Sequence, residues 1–335
     1  RENTWALGDS GGFQIGKGVW EGDWKDPSCP KAQKKREQVL AWMDAYMDYG
    51  MILDIPAWVA RSPAGAAATG VSTYQEAVAA TRINNDYFMK HRTGACKFLN
   101  VLQGENHADA DDWYEQMKDY CDPAKYPDTH FNGWSMGGQN MCDVHLALKR
   151  IVALRFDGLL EEGVHDVMHF LGTSKLEWAT LLTDIQRAVR KYHNKNFMIT
   201  FDCASPFLAT ANGQIYITTE TENRKKWVYR MVPSIDELKY ANDTRNFRDG
   251  VLADGIFKTF TDSPLTKSIK INDVCHYAVG DVNKVGGPKI LKGEIDRDKH
   301  GAPILDEEGN EQLRKRDSTS WDSFSYAIQM GHNVW

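Results

Sequence analysis

Three aspartates stand in or beside short apolar runs: Asp9 in Asp9-Ser10-Gly11-Gly12-Phe13-Gln14, Asp54 in Met51-Ile52-Leu53-Asp54-Ile55-Pro56, and Asp202 in Phe201-Asp202-Cys203. A carboxylate among apolar residues is costly unless it is paired, hydrogen-bonded or solvated. Any one of them could simply cap the following helix, since Asp is a preferred N-cap. All three together suit chemistry better. Two acidic groups in one cleft are what cleavage of a glycosidic bond needs: one attacks the anomeric carbon and the other handles the proton. Gly11-Gly12, Gln103-Gly104 and Gly137-Gly138 accompany the acids. Glycines let backbone approach a flat ligand closely and leave N–H donors unblocked.

The elements that must hold these residues are legible as alternating strands and helices. Val39, Leu40, Trp42, Met43, Tyr46 and Met47 recur at helical spacing, which predicts a helix with a broad buried face, followed by a strand at 51–56. Thr73 with Glu76 spells a capping box for a helix running to about Arg92. Residues 98–104 read as a strand and its exit, 111–120 as a helix, and 133–138 as a strand ending in glycines. Asp143 is placed to cap a helix carrying Val144, Leu148, Ile151 and Leu154. A strand at 167–172 follows, then Ser174 with Glu177 as a second capping box, a helix through Leu181, Leu182, Ile185 and Val189, and a strand at 197–203.

Repeated strand–helix units imply a parallel sheet with right-handed crossovers. The expected class is α/β, a TIM (β/α)8 barrel over 1–270 with a C-terminal extension over 271–335. In such a barrel the strand ends carry the site. A doubly wound sheet is the alternative, and no GxGxxG or GxxxxGK[ST] favours it. Beyond about residue 215 the pattern fades. Residues 280–316, rich in Gly, Lys, Asp and Glu, read as a loop or hairpin insertion, and 321–335 as a terminal apolar helix.

With 335 residues, 42% of them hydrophobic, the chain can bury a large core. A net charge of −6 gives no overall pull on nucleic acid, so such a partner would have to meet a local basic patch. Lys31, Lys34, Lys35 and Arg36 form one candidate, and Arg224, Lys225, Lys226 and Arg230 another; each reads equally as a solvated face. No apolar run approaches the roughly 18 residues of a membrane span. Cys29, Cys96, Cys121, Cys142, Cys203 and Cys275 form no CxxC and read as reduced thiols of a cytoplasmic protein.

Asp9-Ser10-Gly11-Gly12-Phe13-Gln14 resembles the DSGG[FY]Q signature of tRNA-guanine transglycosylases. Further matches follow in the family's order. Met51-Ile52-Leu53-Asp54-Ile55-Pro56 is similar to the base-recognition strand, Val101-Leu102-Gln103-Gly104 to the VQG motif, and Gly133-Trp134-Ser135-Met136-Gly137-Gly138 to G-[YF]-x-[IV]-G-G. Phe201-Asp202-Cys203-Ala204-Ser205-Pro206, with Asn212-Gly213 after it, resembles FDCVxPTR and its NG, and His332-Asn333 the HN pair of the zinc site.

The resemblance implies that Asp202 is the nucleophile at C1′ of the target nucleoside and Asp9 the general acid/base for the leaving and entering bases. It implies that Asp54 accepts hydrogen bonds from the Watson–Crick edge of the bound base. Gln103 and the Gly138 backbone would meet the carbonyl side of that base, and Phe13 and Met141 would sandwich its ring. Ser10, Gly11, Gly104 and Gly137 would complete the pocket. The target base would have to leave its stack to enter.

Departures from the family pattern sharpen the expectation. Leu208 and Ala211 stand where FDCVxPTRxxRxG has arginines, which removes phosphate contacts. The CxCxxC motif is missing, so no zinc or other cofactor is expected, Cys275 and His332 being candidates for a remnant site. Eight residues precede Asp9 where the family has barrel strands, so part of the N-terminal barrel segment is expected to be lacking. These features resemble the divergent, mostly phage-type branch that places 7-deazaguanines such as 7-cyano-7-deazaguanine (preQ0) into DNA, which evades restriction. DNA and a free 7-deazaguanine base are therefore the expected partners, in a bacterial or phage-infected cytoplasm, with a homodimer or a helper protein as further partners. A divergent tRNA enzyme is the main alternative. A TIM-barrel glycoside hydrolase using Asp9 and Asp202, or a non-catalytic homologue, are the others; retention of both aspartates speaks against the last.

Overall fold

The computed structural model describes residues 4–222, 227–235, 240, 242–261, 263–274, 298, 300–305, 309–311 and 323–335. Two compact units divide the chain, Arg1–Cys203 and Ala204–Trp335. The sequence reading instead draws its boundary after residue 270. Cys275, Arg224, Lys225, Lys226 and most of the 280–316 insertion lie outside the described residues.

The first unit is built on six strands: β1 (Leu7–Gly8), β2 (Tyr49–Met51), β3 (Lys97–Leu102), β4 (Gly133–Met136), β5 (Val167–Phe170) and β6 (Met198–Phe201). They lie side by side in chain order and every pair is parallel. Successive right-handed crossovers that always step the same way give this order. A doubly wound sheet would reverse direction at a switch point, and this one does not. The sheet curls as a half-barrel, compatible with part of a TIM-like fold. The closed eight-stranded barrel expected from the sequence is not seen among the described residues. The next two strands, β7 (Gln214–Glu220) and β8 (Val228–Pro233), pair antiparallel in the second unit. The link between them is too short for a crossover helix, which needs a dozen or more residues.

Seven helices accompany the sheet: α1 (Gly12–Gly16), α2 (Pro30–Tyr46), α3 (Pro63–Thr69), α4 (Tyr74–His91), α5 (His107–Met117), α6 (Val144–Phe156) and α7 (Leu176–Tyr192). The Thr73–Glu76 box forms at α4, each residue satisfying a backbone donor that the first turn leaves open. Asp143 caps α6 by accepting from the His145 and Leu146 amides. The second expected box does not form. Lys175 is the N-cap of α7, so the helix starts one residue later than Ser174 requires and Glu177 falls a position too early. The buried stripe of α2 is Ala32, Arg36, Val39, Leu40 and Met43, narrower than expected, with Trp42 and Tyr46 exposed.

The core of the first unit holds Trp24, Phe88, Phe98, Trp113, Trp134 and Phe170, all fully buried. Trp113 and Trp134 donate their indole N–H groups to the Val101 and Leu159 carbonyls, so neither ring buries an unpaired donor. The second unit has α8 (Ser205–Ala211), the β7–β8 pair, α9 (Phe247–Ala253), α10 (Ile271–Val274) and α11 (Ser323–Val334), around a core including Ile215, Phe247, Val251 and Ile271. Among the described residues no helix is long and apolar enough to cross a membrane.

Candidate active site

The carboxyl ends of the six parallel strands collect the expected residues. Asp9 follows β1, Asp54 lies just past β2, Gln103-Gly104 follow β3, Gly137-Gly138 follow β4, and Asp202 follows β6. All belong to the first unit.

Asp54 is buried, and Gln103 donates its side-chain N–H to Oδ2 at 2.8 Å. Burial pushes the Asp54 carboxyl up to about 7; the Gln103 amide pulls it down, and the charge of Asp9 pushes it further up. The backbone around it is held by α4. Ile55 N–H donates to Thr81 Oγ1 at 2.9 Å, and Asn84 Nδ2 donates to the Leu53 carbonyl at 2.6 Å. Behind α4, Arg36 of α2 donates from Nε to Asn84 Oδ1 at 2.6 Å, with all of these side chains buried. A chain of polar contacts through two helices thus aims one carboxylate.

Glycines decide how closely the neighbouring loops approach. A Cβ on Gly12 would stand 2.6 Å from Asp54 Oδ1 and 2.9 Å from its carbonyl oxygen, so the Asp9 loop lies directly on Asp54 because residue 12 has no side chain. Gly138, at φ 54°, rests against the β3 exit, where a Cβ would run into the Gly104 carbonyl and stand 3.0 Å from Gln103 Oε1. Gln139 N–H donates to that Gly104 carbonyl at 2.7 Å, and Asn140 Nδ2 donates to the Gln103 and Gly137 carbonyls. A carboxylate, a primary amide and glycine backbone on adjoining loops suit the edge of a flat heterocycle.

Asp202 has an opposite surrounding. Its side chain is 63% exposed, and its Oδ1 accepts from His169 Nε2 at 3.1 Å and from the Gly172 amide at 3.0 Å. First the His169 hydrogen bond, then the Gly172 amide, hold the carboxyl below the usual carboxylate range against partial burial. His169 itself is buried, and its Nδ1 lies 2.9 Å from Thr200 Oγ1, its registered neighbour across β5 and β6. Their environments drive the two carboxylates apart: one is ionised throughout the neutral range, and the other titrates within it.

The remaining expected residues fall around these two groups. Ser10 and Gly11 are buried beside Asp9. Met141 reaches the Asp202 side, its Sδ lying 3.8 Å from where a Cβ of Gly172 would stand. Phe13 is 59% exposed with its ring centroid 6.0 Å from that of Trp58, and Lys17 Nζ lies 5.4 and 5.6 Å from the two centroids. His169, Trp58 and Lys17 are not singled out by sequence reasoning. For His169 the available signal was a polar ring inside an otherwise apolar strand; for Lys17, its position four residues after Phe13 on one helical turn.

The two candidate basic patches and the candidate remnant residue His332 have these surroundings. Arg36 is not a surface cation but a buried one; of its companions, Lys31 pairs with Glu21 and Lys35 lies over the Trp20 ring. Arg230 of the other basic patch pairs with Glu220. In the second unit His332 is buried, donating from Nε2 to the Tyr216 carbonyl at 2.6 Å and accepting at Nδ1 from Ser263 at 2.9 Å. Both ring nitrogens therefore serve the fold there. Among the described residues no three His, Cys, Asp or Glu side chains cluster as metal ligands, and Cys275 lies outside them. No protein-family model and no curated protein sequence matches the chain.

Proposed function

We propose that this protein is a guanine transglycosylase that exchanges guanine in DNA for a 7-deazaguanine such as preQ0, by double displacement through an aspartyl–sugar ester. One observation carries the reading: an exposed, ionised Asp202 and a buried Asp54 near neutrality, at the ends of parallel strands and each held by its own hydrogen-bonding partner. The first is suited to attack C1′. The second, with Gln103 beside it, is suited to read a purine edge. Asp9, whose charge acts on Asp54, is assigned the proton of the departing and entering bases. The half-barrel sheet is read as an arc of the (β/α)8 architecture whose strand ends host such sites.

Double displacement of this kind balances with no cofactor. The partners are the nucleic acid and the free base, and the place of action is the cytoplasm. DNA is preferred over tRNA because Leu208 and Ala211 replace two phosphate-binding arginines of the resembled family. The Lys17-topped Trp58, beside the exposed Phe13 that is assigned to the bound base, suits an unstacked strand, whose bases lie against aromatic faces and whose phosphates meet a cation. The test is incubation with radiolabelled guanine and, separately, single-stranded DNA, duplex DNA and unmodified tRNA. Label in DNA that is lost with Asp202→Asn supports the reading. Label in tRNA alone transfers the assignment to that substrate, and no label in any nucleic acid overturns it.

A further inference from the structure

We propose that His169 is a positioning residue for the nucleophile, fixing the Asp202 carboxylate so that Oδ2, not Oδ1, bonds to the sugar. This rests on the transglycosylase reading for its reaction, but its geometry stands separately. Both external donors, His169 Nε2 and the Gly172 amide, converge on Oδ1. A carboxylate only accepts, so Nε2 must carry a hydrogen. In the neutral ring Nδ1 then accepts from the Thr200 hydroxyl, which selects this tautomer. Thr200 lies in β6, two positions before Asp202, which follows the strand. His169 is 2% exposed and both its nitrogens are used, so the ring is held from both sides.

The assignment of oxygens gives each half-reaction a defined course. An Oδ2 electron pair forms the bond to C1′, and the C1′–N9 pair departs with guanine, which takes a proton from Asp9. Oδ1 becomes the ester carbonyl oxygen with its two N–H donors in place. The entering base then gives its N9 proton to Asp9, its electron pair forms C1′–N9, and the C1′–Oδ2 pair returns to Asp202. Charge redevelops on the carboxylate in this second half, where donors already aimed at Oδ1 stabilise it most. The groups acting on Asp202 within its unit are His169 of β5, the Gly172 amide after β5, and the amide of Asp202 itself.

Two substitutions separate this role from packing. His169→Met keeps bulk and removes the donor, whereas His169→Gln can place an N–H near the Nε2 position. Carbon-13 NMR of the aspartate carboxyls, assigned with Asp202→Asn, follows the Asp202 titration in each folded variant. Expected for His169→Met is a midpoint raised by about one pH unit, kcat for exchange lower by about a hundredfold, an acid limb moved to higher pH, and an unchanged KM for the free base. His169→Gln should restore most of the midpoint and at least tenfold of the rate. An Asp202 midpoint unmoved in folded His169→Met, or a Gln variant no better than Met, overturns the proposal. If wild-type protein exchanges no base, the transglycosylase reading falls, while the carboxyl titration still decides for or against His169.

Discussion

Asp54 and Asp202 share a residue type and a place at strand ends, but burial separates their chemistry. The folded Asp54 carboxyl titrates near 7, against about 3.8 for an unperturbed aspartate. Between those values the folded protein binds more protons than the unfolded chain, so stability is highest below the lower value and is lost as pH rises through the upper one. Asp54→Asn removes that penalty. Thermal unfolding should show the variant more stable than wild type at pH 8, by at most on the order of 4 kcal/mol, with the gain shrinking towards pH 4. A gain no larger at pH 8 than at pH 4 would show that the carboxylate is not strained by burial. On the proposed function, in which the carboxylate accepts from the base edge, the same substitution should weaken guanine binding at least tenfold. Wild-type affinity should itself fall below about pH 7, and calorimetric titration across pH 5.5–8.5 checks it. Stability given up at a buried ionisable group is a common pattern at functional sites in proteins.

At the scale of elements, α2 and α4 act as a mount for the Asp54 loop. Asn84→Ala would leave the Leu53 carbonyl and the buried Arg36 guanidinium each short of a partner. It should cost about 2–4 kcal/mol in urea denaturation and weaken guanine binding further. Thr73→Ala, which removes only a helix cap, should cost about 1 kcal/mol and leave guanine affinity unchanged; equal effects of the two on affinity would dismiss the mount. These two residues also mark what the sequence makes legible. Thr73 and Glu76 form their box within four residues, and Asp143 caps within three, so local pattern suffices. The ends of β3, β4 and β6 were readable from Gln103, Gly137 and Asp202, but β2 is Tyr49–Met51 and ends where the expected 51–56 strand begins, because residues 52–56 already form its exit loop. The Arg36–Asn84 and His169–Asp202 pairings depend on packing and register between segments more than 30 positions apart, which no local period encodes. The Ser174 box failed because its pattern fits a helix starting one residue earlier than α7 does. After β6 the chain turns to an antiparallel pair, and strand–helix counting loses its guide.

The whole molecule carries a net charge of −6, so attraction to a phosphate backbone has to be local. Lys17, over the Phe13 and Trp58 rings, is the cation we expect to supply part of it. Lys17→Gln should weaken binding of single-stranded DNA similarly for all sequences and lower the salt-dependence slope by roughly one. Trp58→Ala should cost about 1–3 kcal/mol of binding. Fluorescence anisotropy at several salt concentrations reads both, and an unchanged slope with Lys17→Gln would remove this surface from the nucleic-acid path. The most direct measurement is of the proposed covalent ester. The protein is incubated with end-labelled, guanine-containing single-stranded DNA, with no free base added, and resolved under denaturing conditions. Expected is a labelled band at the mass of protein plus oligonucleotide, chased away by excess guanine and missing from Asp202→Asn. A band that persists in Asp202→Asn, or guanine exchange at the wild-type rate by that variant, would contradict a nucleophilic Asp202.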